Sequence, residues 1–121
     1  MKSIVPLICV ALLFSTTSAW ANAFLDHAEP AVGSSVDVPP KEIKIGFTEE
    51  VQAALSQIQL FDHRGKPVTQ DRATVDPEDP SLLSLPVPAM RRGKYRVTWR
   101  VMSVDGHMTV GTFFFAIRKT R

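Results

Sequence analysis

The stretch Lys94-Tyr95-Arg96-Val97-Thr98-Trp99-Arg100-Val101 alternates polar and apolar side chains without a break. Successive strand residues point to opposite faces, so Tyr95, Val97, Trp99 and Val101 share one face and the basic residues the other. That pattern belongs to a strand with one face against a core. Arg91-Arg92-Gly93 opens this strand, and Thr112-Phe113-Phe114-Phe115-Ala116-Ile117 closes the chain's patterned region with Phe113, Phe115 and Ile117 facing inward. Upstream, Ile43, Ile45 and Phe47 recur at every second position of Glu42-Ile43-Lys44-Ile45-Gly46-Phe47. Gln57-Ile58-Gln59-Leu60 reads as a further strand, ending at the turn formers of Asp62-His63-Arg64-Gly65, with Pro67-Val68-Thr69 as its hairpin partner. The prolines at 30, 39, 40, 77, 80, 86 and 88 are expected in connections or edge strands, because proline cannot donate to a ladder. With no helical period, the chain is predicted to be all-β: an immunoglobulin-like Greek-key sandwich or barrel of about seven strands. Trp99 is expected at the centre of its core, flanked by Tyr95, Val97, Phe113 and Phe115. Met102 is expected in the core as well, and Met90 beside a turn.

A chain of 121 residues, 45% hydrophobic and 21% charged, holds one ordinary domain, which excludes a multidomain enzyme. Its formal charge of +2 is small and scattered, so affinity resting on nucleic-acid phosphates is excluded too. Behind Lys2 the apolar run from Ile4 to Phe14 is shorter than the roughly 20 residues of a membrane span and suits the core of a signal peptide. Ala19-Trp20-Ala21 allows cleavage before Asn22, and Ala21-Asn22-Ala23 allows the alternative cut before Phe24. Residues 1–21 are therefore expected to be a signal peptide that exports residues 22–121 as one domain. The single cysteine, Cys9, lies in the segment to be removed. Disulfides, thiolate metal sites and cysteine nucleophiles are then unavailable to the exported chain.

No G-x-S-x-G elbow and no glycine-rich phosphate cradle is present. The chemistry narrows to Ser103-Val104-Asp105-Gly106-His107, a polar loop between the two most apolar strands. In an extended segment, residues two apart face the same side, so Asp105 and His107 would offer a carboxylate oxygen and an imidazole nitrogen to one ion. That is half a metal site. The same residues also read as an aspartate closing a turn beside a surface histidine. His63, in the earlier turn, reads as a solvated turn residue.

Taken in order, Asn22-Ala23-Phe24-Leu25, Ala28-Glu29-Pro30-Ala31-Val32-Gly33-Ser34, Ile45-Gly46-Phe47-Thr48-Glu49 and Gly93-Lys94-Tyr95-Arg96-Val97-Thr98-Trp99, followed by Ser103-Val104-Asp105-Gly106-His107 and Gly111, resemble the CopC-type periplasmic copper-binding proteins. The resemblance spans essentially all of residues 22–121. It implies a cupredoxin-like sandwich, a non-catalytic protein and a Cu(II) site built from an N-terminal histidine, through its amino group and ring, with the Asp-x-His pair. Asp105 and His107 match that pattern. Asn22 stands where the terminal histidine should be, or Phe24 after the alternative cut, so one nitrogen ligand is missing. Glu49 occupies the place of an acid that lies near the site in some members, and also reads as a solvated strand-end acid. His27 is an extra ligand only if a bulge reverses its facing in the first strand. The family's methionine-rich Cu(I) loop has no counterpart, and Met108 beside His107 is the one soft donor in view. The resemblance thus implies a monomeric copper carrier or buffer of copper homeostasis and resistance, with no nucleic-acid partner. The alternative is an interaction module with weakened metal binding, acting beside an inner-membrane copper-transport protein.

Overall fold

The computed structural model of the chain describes residues 23–118; the expected signal segment 1–21 and Asn22 lie outside the described residues. Eight strands follow in order: β1 (Leu25–Glu29), β2 (Ser35–Val36), β3 (Glu42–Phe47), β4 (Gln57–Phe61), β5 (Thr74–Asp76), β6 (Asp79–Pro86), β7 (Gly93–Met102) and β8 (Met108–Ile117). They form two four-stranded sheets, ordered β1-β3-β6-β5 and β2-β8-β7-β4. The fold is therefore a sandwich and not a closed barrel. All named strand pairs are antiparallel except β2 with β8.

The alternation read in the sequence is the alternation that builds the core. Ile43, Ile45, Leu83 and Leu85 from one sheet meet Val97, Val101 and Phe115 from the other, all at most 1% exposed. Each such side chain contributes about 1.5–3 kcal/mol by leaving water. Trp99 is buried as expected, though toward one end of the sandwich. It pairs with Gly111 across β7 and β8, and its indole lies where any Cβ on Gly111 would collide with it. Its ring meets Phe47 of the opposite sheet edge to face, with centroids 5.2 Å apart and planes at 71°. Toward the other end Tyr95 stacks on Phe115 at 5.5 Å, and its hydroxyl donates to the Arg91 carbonyl at 2.6 Å, a tyrosine corner. Burial holds the Tyr95 phenol above its ordinary pKa.

Among the described residues there are eight strands, in line with the expected count of about seven, although β1, β5 and β6 carry little alternation in sequence. Other expectations need correction. Pro80 and Pro86 lie in β6, an interior strand, but at its two ends. Pro67-Val68-Thr69 returns beside β4 with one bridge, Phe61 to Pro67, and forms no strand. Met102 faces outward and is half-buried, whereas Met90 is buried in the core.

Candidate metal centre

Ser103, fully buried at the end of β7, closes the turn that carries Asp105 and His107. Its carbonyl accepts from the Gly106 N–H at 2.9 Å and from Gln52 Nε2 at 2.8 Å. Its own N–H donates to the His107 carbonyl at 2.9 Å, and its hydroxyl accepts from the His107 N–H at 3.2 Å. Val104, Asp105 and Gly106 thus project as a three-residue hairpin loop. Gly106 has φ 89°, the left-handed position that such a loop needs and glycine fills without strain. Asp105 is exposed and His107 half-buried. The two are presented by a tight turn, so the strand alternation that suggested their pairing does not operate here. Among the described residues no hydrogen bond or ion pair draws on the Asp105 carboxylate.

Two further segments reach the same end of the sandwich. Residues 49–52 run beside the turn: Val51 bridges Ser103, Val104 N–H donates to the Glu50 carbonyl at 3.1 Å, and Gln52 N–H donates to the Met102 carbonyl at 2.8 Å. Glu49, half-buried, begins that segment. The start of the described chain is clamped between the sheets. Phe24 N–H donates to Thr48 Oγ1 at 3.0 Å, Thr48 N–H donates back to the Phe24 carbonyl at 2.8 Å, and Thr109 Oγ1 donates to the Ala23 carbonyl at 2.5 Å. Ala23 is fully buried there. One end of the molecule therefore gathers Glu49, Asp105, His107 and the residue that follows Asn22. Among the described residues no three His, Cys, Asp or Glu side chains are close enough to hold a metal ion, so Glu49, Asp105 and His107 do not form a complete three-donor cluster.

The remaining candidates sit elsewhere. A bulge between Leu25 and His27 does occur, and it turns His27 onto the outward face of the β1-β3-β6-β5 sheet, where its ring lies over Gly46. There its Nδ1 is 2.9 Å from Asp26 Oδ2, and its side chain is 63% exposed. His63 is exposed in the turn after β4. Met108 is partly exposed on the outward face of β8. Ser103, Gln52, Thr48 and Thr109 were not singled out from the sequence. Their contacts join positions 51, 24 and 86 residues apart, and such pairings leave no local pattern to read.

A carboxylate and an imidazole make an oxygen and nitrogen donor pair, which suits Cu(II), and at equal donors copper outcompetes zinc. Residues 25–118 match the family model described as the CopC domain. Protein YobA of Escherichia coli (strain K12) is 32% identical over 104 residues, covering 85% of this chain and 84% of its own. The crystal structure of CopC from Methylosinus trichosporium OB3b superposes with a TM-score of 0.76 at 34% identity, over 79% of this chain and 93% of that one. That of PcoC, a methionine-rich copper resistance protein from Escherichia coli, gives 0.73 at 26% identity, over 81% and 100%.

Proposed function

The chain belongs to the CopC family of copper resistance proteins, and from that premise we propose that it carries or buffers Cu(II) through Asp105, His107 and the α-amino group of Asn22, with Glu49 a nearby acid outside the donor set. The family's proteins are periplasmic and its copper-binding members non-catalytic. Removal of residues 1–21 is part of this proposal, since it creates the amino terminus at Asn22. The observation that carries the reading is the anchoring of Ala23 to Thr109, two residues beyond His107. A residue spans about 3.8 Å, so an amino group on residue 22 starts within one residue of that anchor. A primary amine there supplies the third donor that the described side chains lack.

Asn22 gives no imidazole, so the amino group brings one nitrogen where a terminal histidine would bring two. Competition titration of the exported protein with Cu(II), after its start has been confirmed by intact mass, tests this. Asn22→His should tighten binding at least about tenfold, or about 1.4 kcal/mol. Binding should weaken as pH falls, because protons compete for the nitrogen donors. Equal affinities of the two proteins would place the terminus outside the site. The substitution of asparagine for histidine favours a second reading: a module with weakened metal binding that works beside an inner-membrane copper-transport protein. A native affinity unchanged by His107→Ala would select it.

A further inference from the structure

We propose that the outward face of the β2-β8-β7-β4 sheet docks a protein partner through an acidic surface on that partner. Strand register sets the face in rows. Gln57, Arg100 and Val110 form one row, Gln59, Thr98 and Thr112 the next, and Phe61, Arg96 and Phe114 the third. Lys94 follows beyond them. Every charged side chain in these rows is a cation. Neither Lys94, Arg96 nor Arg100 has an ion-pair partner among the described residues; the ion pairs formed are His27 with Asp26, Lys44 with Glu42, Arg64 with Asp62 and Arg118 with Asp37. The opposite sheet differs. Its outward face carries Glu29 and Glu42 with Lys44, and Asp76, Glu78 and Asp79 cluster at its β5–β6 turn.

The basic face also exposes apolar area: Val110 is 68% and Phe114 49% exposed. Arg96 is pre-positioned, its guanidinium carbon 4.5 Å above the Phe61 ring and its strand neighbour Phe114 opposite. Arginine and aromatic side chains in this association characterise the anchoring residues of protein interfaces, where a held guanidinium loses little freedom on binding. Hollows of about 330 Å³ around Thr98 and Val110, and about 340 Å³ between Arg96 and Phe114, give a partner's side chains places to enter. The central row of Gln59, Thr98 and Thr112 argues for a protein over a lipid surface. Acyl chains would leave those polar groups unpaired, whereas a protein can hydrogen-bond them. Carboxylates complete the match to unpaired cations.

The test uses the full chain produced in its native cell, with the photo-crosslinking residue p-benzoylphenylalanine at Thr112 and, as control, at exposed Thr74 of β5 on the opposite sheet. The Thr112 chain should yield a covalent adduct with a protein whose joined peptide is rich in Asp and Glu. Arg96→Glu with Arg100→Glu should cut adduct yield at least fivefold. The purified pair should bind at least tenfold more weakly at 0.5 M than at 0.05 M salt, since screening shortens to about 3 Å near 1 M. If Arg96→Glu disturbs the fold by losing its stack on Phe61, Lys94→Glu with Arg100→Glu carries the same test. The proposal is overturned by adduct no greater than at Thr74, by adduct that survives charge reversal, or by an adduct of twice the chain's own mass. Co-sedimentation with phosphatidylglycerol vesicles that charge reversal abolishes would assign the face to membrane instead, and overturn it as well. None of these results depends on whether copper binds.

Discussion

The turn after β4 and the turn between β7 and β8 each carry an aspartate, a histidine and a left-handed glycine, Gly65 at φ 82° and Gly106 at φ 89°. In the first, the aspartate is consumed by its own turn. Asp62 Oδ1 accepts from the Lys66 N–H at 3.0 Å and the Arg64 N–H at 2.9 Å, and its other oxygen is 3.9 Å from the Arg64 guanidinium. The Lys66 amide foremost, then the Arg64 amide and charge, hold its carboxyl below the usual range. In the second turn that work falls to Ser103, which is wholly buried and bonded on three sides. Asp105 is left facing solvent with its oxygens unspent. Which residue closes the turn thus decides whether an aspartate beside a histidine is a structural brace or an available ligand.

Both turns hang from one rigid frame, and the largest expected effect comes from removing that frame beneath the turn of Asp105 and His107. Trp99→Ala should lower stability by about 3–5 kcal/mol, read as a fall in the denaturant midpoint. An unchanged midpoint would show that the Phe47 contact and the Gly111 bed do not support that turn.

Next in size is the contrast between the two histidines. His107→Ala should weaken Cu(II) binding at least about 100-fold, or about 2.7 kcal/mol, while His63→Ala leaves it unaltered. Asp105→Ala should fall between them. Electron paramagnetic resonance should show loss of an imidazole nitrogen in the first variant alone; the same spectra from both would erase the distinction between the turns.

Ser103→Ala asks whether the serine is the closing residue. It strips the hydroxyl from the His107 N–H in a buried setting, at a cost of about 1–3 kcal/mol. Thermal melting measures that loss, and copper affinity should drop with it because the loop is no longer fixed.

The smallest effect belongs to Asp62→Ala, which should reduce stability slightly at neutral pH and leave copper titration unchanged. A carboxyl with a depressed folded pKa stabilises the fold above its unfolded pKa of about 3.9, and that contribution disappears as pH falls through the folded value. Urea midpoints of native and variant should therefore converge in strong acid. A gap that persists there would mean that Asp62 acts through something other than its charge.

The strands that alternate strictly, β3, β4 and β7, were legible almost to the residue, and so was the inward set of β8. β6 was not, since Leu82-Leu83-Ser84-Leu85 lies between prolines that normally argue against a strand interior. Those prolines sit at the strand's ends. At the proposed site, the turn that carries Asp105 and His107 was legible between β7 and β8, and so was its match to the family pattern. Their support was not: a serine is an ordinary turn residue in sequence, and nothing local reveals that Ser103 would be buried and bonded to Gln52. The placing of Ala23 against Thr109 likewise depends on both sheets meeting, which only the fold supplies.

The bed that Gly111 makes for Trp99 also gives the molecule an optical reporter. Positions 20 and 99 hold its two tryptophans, so a chain beginning at Asn22 keeps only the indole that lies in the last buried layers of β7 beneath the turn of Asp105 and His107. Cu(II) arriving above it would quench that emission from a single, fixed site. Emission from the unmodified protein would then record occupancy, with no added label and no second indole to separate from it.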